Sequence, residues 1–200
     1  MNDRLTYPQM ALSLLRPTQI TAGLRYVRSK ALITARNRTR LAEFMMEHPV
    51  KVAIGPDNEP YVLDHHHWAL AWQLAGHTTA PVRIVADYSG MTGEEFWSTL
   101  VARRLVHPFD VDGTRQPVSA LPPGLRELKD DPYQSIAAFA RRAGAYRKTG
   151  KAESTFVWAD FFRDQVPLDD DSDEAFMLAL VSAVKSARSS RARKLPGYIG

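Results

Sequence analysis

The spacing of apolar residues changes along this chain, and each change marks an element. Val50, Val52 and Ile54 alternate with other residues at the period of a strand. Gly55-Pro56-Asp57-Asn58 is a dense turn signal, and residues 60–63 form a second short strand, so the two read as a hairpin. Residues 81–86 predict a third strand with Val82, Ile84 and Ala86 on one face. Between and around these strands the period becomes helical. Leu24, Val27, Ala31, Leu41, Phe44 and Met45 mark residues 24–47 as helix, with a break near 36–40 and a stop at His48-Pro49. An Ala/Trp/Leu-rich helix follows Asp64 and runs to about Ala75, with Gly76 just past its end. Further helices open at the Thr92–Glu95 capping box and at Asp131-Pro132, the latter ending near Gly144. Residues 158–163 predict one short helix. Phe176, Leu180 and Val184, with Met177 and Val181, predict an apolar stripe on a final one. Pro17 pushes Arg16 toward extended geometry, so residues 8–22 read as strand or loop.

The predicted fold class is α+β, with a small mixed sheet in the N-terminal half and a helical C-terminal portion. The expected division is a core over 8–90, a helical subdomain over 91–187 packed on it, and a basic flexible tail over 188–200.

Composition narrows the chemistry. There is no cysteine, which excludes disulfides, thiolate chemistry and zinc-thiolate sites. No run approaches the roughly 20 apolar residues of a membrane span, and the first residues lack a signal-peptide core, so a cytoplasmic protein without membrane contact is expected. The chain carries 26 Lys and Arg against 22 Asp and Glu. The excess is local: Arg25, Arg28, Arg36, Arg38 and Arg40 lie in a stretch without acids, as do five cations of residues 185–194. Such stretches favour phosphate-bearing partners, or are solvated faces.

The densest chemistry is at Asp64-His65-His66-His67, where a strand turns into a helix. Asp64 can cap that helix by accepting from the N–H of His66 or His67. The first turn then offers an anion site. A protonated imidazole would add a charge-assisted hydrogen bond to phosphate, and a neutral one could serve as a base near pH 7. Adjacent helical residues diverge by about 100°, so three consecutive histidines do not converge on one metal, and no metal site is expected. Trp68 and Trp72 share one helix face and are expected in the core.

The turn Asp64-His65-His66-His67 with its hairpin, the upstream Arg16-Pro17-Thr18-Gln19-Ile20-Thr21-Ala22-Gly23, and Glu94-Glu95-Phe96-Trp97, Ala120-Leu121-Pro122-Pro123, Asp130-Asp131-Pro132-Tyr133 and Trp158-Ala159-Asp160-Phe161-Phe162 together resemble the ParB/sulfiredoxin superfamily. More narrowly the chain is similar to its bacterial ParB-like nuclease group, over roughly residues 12–165. The resemblance implies a small α+β core with a nucleotide or phosphate pocket. In the free-serine-kinase branch the helix-start motif often reads Asp-Gly-His-His-Arg. Asp64, His66 and His67 match it; His65 stands where that motif has glycine, and Trp68 where it has arginine, a bidentate phosphate clamp. Sulfiredoxin activity is excluded by the absence of cysteine. No helix-turn-helix pattern of the partition proteins is evident after residue 90.

The resulting expectation is a ParB-like protein acting on nucleic acid or nucleotide phosphates. Asp64, His66 and His67 would be catalytic, and Arg16, Gln19 and His65 would hold phosphate or substrate. Asp64 would orient a histidine or deprotonate a nucleophile, while an imidazolium would stabilise phosphoryl oxygens. Mg²⁺ and a nucleotide are the cofactors implied. Two alternatives stay open: a small-molecule kinase or phosphotransferase of the free-serine-kinase type, and a non-catalytic DNA-binding or interaction module using Arg25, Arg28, Arg36, Arg38 and Arg40.

Overall fold

The computed structural model describes residues 6–150 and 153–200. The chain through Ala22 together with Val27–Asp130 forms one compact unit, and Gly23–Tyr26 together with Asp131–Gly200 forms a second. The division thus falls at Asp130/Asp131 and not near residue 90. The helix at 93–102 packs on the sheet, so the segment expected to begin a separate helical subdomain belongs to the first unit.

The first unit is built on a five-stranded mixed sheet. Its strands are β1 (Gln9–Ala11), β2 (Arg16–Pro17), β4 (Val50–Ile54), β5 (Pro60–Asp64) and β6 (Thr79–Asp87), in spatial order β1-β6-β4-β5-β2. β4 is central, parallel to β6 and antiparallel to β5, and Val50, Val52 and Ala53 are fully buried in it. A separate parallel pair joins β3 (Thr21–Ala22) to β7 (Lys129–Asp130). The hairpin and its turn are as the pattern predicts: Asp57 and Asn58 take φ of 58° and 59°, the left-handed region that short polar side chains tolerate. The expected single face of β6 is broken. Register slips between Val52 and Ala53, which pair with Ile84 and Ala86, so Val85 is passed over. Val82 and Ile84 keep unbroken register with Val50 and Val52, so it is Ala86 that the slip takes out of the alternation; Val82 is buried and Ile84 48% exposed.

Helices α1 (Leu24–Arg36), α2 (Leu41–Met46), α3 (His66–Leu74) and α4 (Gly93–Ala102) follow the helical pattern, with the predicted interruption after Arg36. The Thr92/Glu95 capping box opens α4 and satisfies two terminal N–H groups. Ala53, Tyr88, Phe96 and Leu100 form the core beneath α4. Trp68 and Trp72 are both buried, and the Trp72 indole N–H donates to Thr34 Oγ1 at 3.1 Å, so its one polar atom is satisfied.

In the second unit α5 (Pro132–Arg142), α6 (Ser154–Gln165) and α7 (Asp173–Ser186) pack together. Asp131 caps α5 as expected, accepting from Tyr133 N at 2.9 Å, and it also pairs with Arg163 at 2.7 Å. The helix expected over 158–163 is longer, because Ser154 and Gln165 extend it. On α7 the buried stripe is Phe176, Ala179, Ala183 and Ala187; Met177 and Val181 face solvent. Leu180 and Val184, predicted with Phe176, pack partly buried against this cluster, while small residues between them permit close approach of helices.

Residues 188–200 are docked, contrary to the expected flexible tail. Ala192 is fully buried, Leu195 and Tyr198 join the core cluster, and the Trp158 indole donates to Pro196 O at 2.8 Å. Among the described residues no helix is long and apolar enough to cross a membrane.

Candidate functional site

β5 delivers the chain to Asp64, and one residue turns it into α3. That residue is His65, at φ 71° and ψ 24°. Left-handed geometry costs an L-residue about 1 kcal/mol and glycine almost nothing, which accounts for glycine at this place in the motif the chain resembles. His65 is held there by two hydrogen bonds: its N–H donates to Asp64 Oδ1 at 2.8 Å, and its Nδ1–H to Pro49 O at 2.8 Å. Asp64 therefore caps its immediate neighbour, and the expected acceptance from His66 or His67 is not made.

The second Asp64 oxygen accepts from Lys51 Nζ at 2.7 Å. Partial burial opposes ionisation of Asp64. The His65 ring, the Lys51 ammonium and the His65 N–H outweigh it and hold the carboxyl at about 2. An anionic carboxylate and a lysine thus sit together at the N-terminal end of a 9-residue helix.

The histidines divide by burial. His66 is 6% exposed; its Nε2 accepts from Thr18 N at 3.1 Å, which places the ring proton on Nδ1, facing a backbone hydrogen bond to Val62. Burial pulls its pKa down to about 4. Burial likewise lowers His65, and lowers His67 well below the usual range, Lys30 adding to the effect on His67. Each of these shifts favours the neutral ring over the imidazolium expected at this turn, and Lys51 is the ammonium that the structure places on Asp64.

Trp68, in the place of the motif's arginine, is core: Lys30 Nζ lies 4.0 Å from its ring centroid, and Phe44, His48 and Trp72 surround it. From the upstream Arg16-Pro17-Thr18-Gln19 motif, Thr18 is the residue that reaches the turn, its N–H on His66 and its hydroxyl donating to Val62 O at 2.7 Å. Arg16 pairs with Glu59 and lines a separate 360 Å³ cleft with Tyr61, Trp97, Pro122 and Pro123. Gln19 is buried, with its amide donating to Thr21 O at 2.6 Å. Neither side chain is brought onto Asp64 by these contacts.

The arginines of the N-terminal helical stretch do not act as one row. Arg25 pairs with Asp173, donates to Asp171 O and lies 4.7 Å over the Phe176 ring. Arg40 pairs with Glu47, while Arg28, Arg36 and Arg38 are exposed. Lys51 and Thr18 were missed by sequence reasoning. Lys51 carries no motif; its signal is confined to the hairpin register that sets it opposite Asp64.

A mixed-sheet α+β protein with a carboxylate-led strand-to-helix turn, fastened to an upstream loop by a buried histidine, is the class these features define. The profile of the family described as "Putative ParB-like nuclease" matches residues 8–164, and the chain belongs to that family. The crystal structure of protein Atu1540 from Agrobacterium tumefaciens is similar at 38% identity and a TM-score of 0.87, over 98% of this chain and 99% of that one. No curated protein matches the chain in sequence.

Proposed function

We propose that the β5–α3 turn binds the phosphate of a nucleotide or nucleic acid and supports phosphoryl chemistry on it. The observation that carries this reading is Lys51 Nζ at 2.7 Å from Asp64 Oδ2, at the N-terminal end of α3. A helix N-terminus favours anions, and a lysine ammonium adds the point charge used by phosphate binders. Membership of the ParB-like nuclease family supports the same substrate class.

The roles differ from those the motif implies. Asp64, with a pKa of about 2, is a weak base. It positions Lys51 and accepts a hydrogen bond from the attacking hydroxyl or water. His66, bonded at both ring nitrogens, is a positioning residue that fixes Thr18 against the helix start. His67 is neutral and serves as a wall of the turn. For Mg²⁺ the donor set does not fit a resident ion. Asp64 is the one carboxylate of the turn and is already bonded to Lys51 and His65 N. No cluster of three His, Asp or Glu side chains that could hold a metal occurs among the described residues.

The test is Lys51→Ala and Asp64→Asn, read by binding of a fluorescent nucleotide and by cleavage of a labelled oligonucleotide. Loss of a charge-assisted phosphate contact predicts at least about tenfold weaker binding for Lys51→Ala, with Lys51→Arg largely retained. Wild-type behaviour of both variants in both assays would overturn the proposal. Transfer of phosphate to an added hydroxyl compound, without strand cleavage, would identify the phosphotransferase alternative.

A further inference from the structure

The docked C-terminal segment brings two stretches of the second unit that are basic and separate in sequence into backbone contact. Arg147 N donates to Gly197 O at 2.8 Å, and the Tyr198 hydroxyl donates to Arg188 O at 3.3 Å. Arg147 and Lys148, from the loop after α5, therefore adjoin a segment that carries Arg188, Arg191, Arg193 and Lys194. All six are exposed. Residues 185–200 contain no acid. None of the six forms an ion pair with a carboxylate among the described residues; Arg191 instead donates to the neutral Gln165 amide at 2.7 Å.

The anchors of this segment are uncharged. Ala192 is buried, Leu195 and Tyr198 pack on the core, and Trp158 bonds Pro196 O. Gly197 has φ +79°, and a Cβ there would come within 2.2 Å of Arg147 O, so the approach of the two stretches requires glycine. Packing thus holds like charges together against their mutual repulsion, which a polyanion relieves by releasing its counterions. Four of the six are arginines, whose planar forks match phosphate oxygens. By contrast Arg25 and Arg40, in the stretch the sequence favoured, are neutralised within the fold.

We propose that this basic surface of the second unit docks the phosphodiester backbone of duplex nucleic acid without reading its sequence. The surface shares no residue with the Asp64 turn, which belongs to the other unit, so binding persists in Asp64→Asn. Failure of the turn chemistry and failure of this surface are thereby distinguishable.

The test is fluorescence anisotropy of the full chain with short labelled DNA and RNA duplexes of unrelated sequences, between about 50 and 200 mM salt. Binding to either duplex, independent of sequence, is expected. Arg188→Ala/Arg191→Ala/Arg193→Ala/Lys194→Ala is expected to lose at least about tenfold in affinity and to flatten the salt slope by roughly 0.9 per contact removed. Lysine at the three arginine positions retains most of the affinity. Hydrogen exchange of the wild-type chain, which needs no variant to fold, is expected to show duplex protection over 185–198 and none over 28–40. The proposal is overturned by an unchanged slope in the quadruple variant, by protection confined to 28–40, or by binding to phosphatidylserine vesicles but to neither duplex.

Discussion

Lys51 meets Asp64 because the β4–β5 hairpin slips by one residue. Ile54, Ala53 and Val52 pair with Pro60, Tyr61 and Val62, and Lys51 then pairs with Asp64, passing over Leu63. In uninterrupted register Lys51 would oppose Leu63, and Asp64 would be left to the helix start alone. The bulge also increases local twist, which suits a strand about to turn into a helix.

This pairing has a titration signature. Removing the ammonium in Lys51→Ala is expected to raise the Asp64 carboxyl from about 2 toward the ordinary 3.8, read by carbon-detected NMR of the Asp64 side chain. The two side chains are 40% and 36% exposed. Solvent screening therefore limits the stability cost to within about 1 kcal/mol. An unmoved Asp64 titration would remove Lys51 as a determinant of its charge.

The buried His66 makes stability depend on acid. Its folded pKa of about 4 lies below the ordinary 6.5, so the unfolded chain takes up the proton first as pH falls. Stability from this group is complete above about 6.5 and declines until about 4. At roughly 1.4 kcal/mol per pKa unit the loss is about 3 kcal/mol. His65 and His67 act in the same direction. Urea unfolding across this range is expected to show the fall, and His66→Gln to make it shallower; parallel curves would contradict the burial of a neutral ring.

The left-handed His65 separates glycine from alanine. His65→Gly loses the bond to Pro49 O, worth about 1 kcal/mol, and recovers about as much backbone strain. His65→Ala loses the bond and keeps the strain. Denaturant melts are expected to place the alanine variant about 1 kcal/mol below the glycine variant; equal stabilities would mean that the backbone there is not left-handed in solution.

Docking of the C-terminal segment rests on Gly197 and Trp158. Gly197→Ala forces a Cβ into Arg147 O and is expected to cost about 2 kcal/mol or more. Trp158→Phe removes the indole donor from Pro196 O, costing about 1 kcal/mol. Limited trypsin digestion is expected to spare Arg188, Arg191 and Arg193 in the wild type and to cut there in Gly197→Ala. Equal cleavage in both would sink the docked arrangement.

Much of the local structure was legible. The hairpin, the break after Arg36, the Thr92/Glu95 box and the Asp131 cap follow from short-range chemistry and appear where the residues predict them. The family was legible too, from scattered motifs across most of the chain. The tail was misread because basic, Gly- and Pro-containing segments are solvated unless something distant holds them, and Trp158 and Arg147 do. On α7 the Phe176, Leu180 and Val184 stripe packs as predicted, but Met177 and Val181 were misread because periodicity ranks long apolar residues above alanine, whereas close helix packing at Ala179 and Ala183 favours small ones.

By itself the sequence determined the kinds of element, their caps and turns, and the junction where Asp64 and three histidines meet, because these depend on neighbours within a few residues. Tertiary structure decided what those groups are. Desolvation by distant elements disfavours charge on the histidines, a bulge in the β4–β5 pairing gives Asp64 its lysine, and docking turns a basic tail into a surface. Each depends on contacts between residues far apart in the chain, which neither periodicity nor motif spacing encodes.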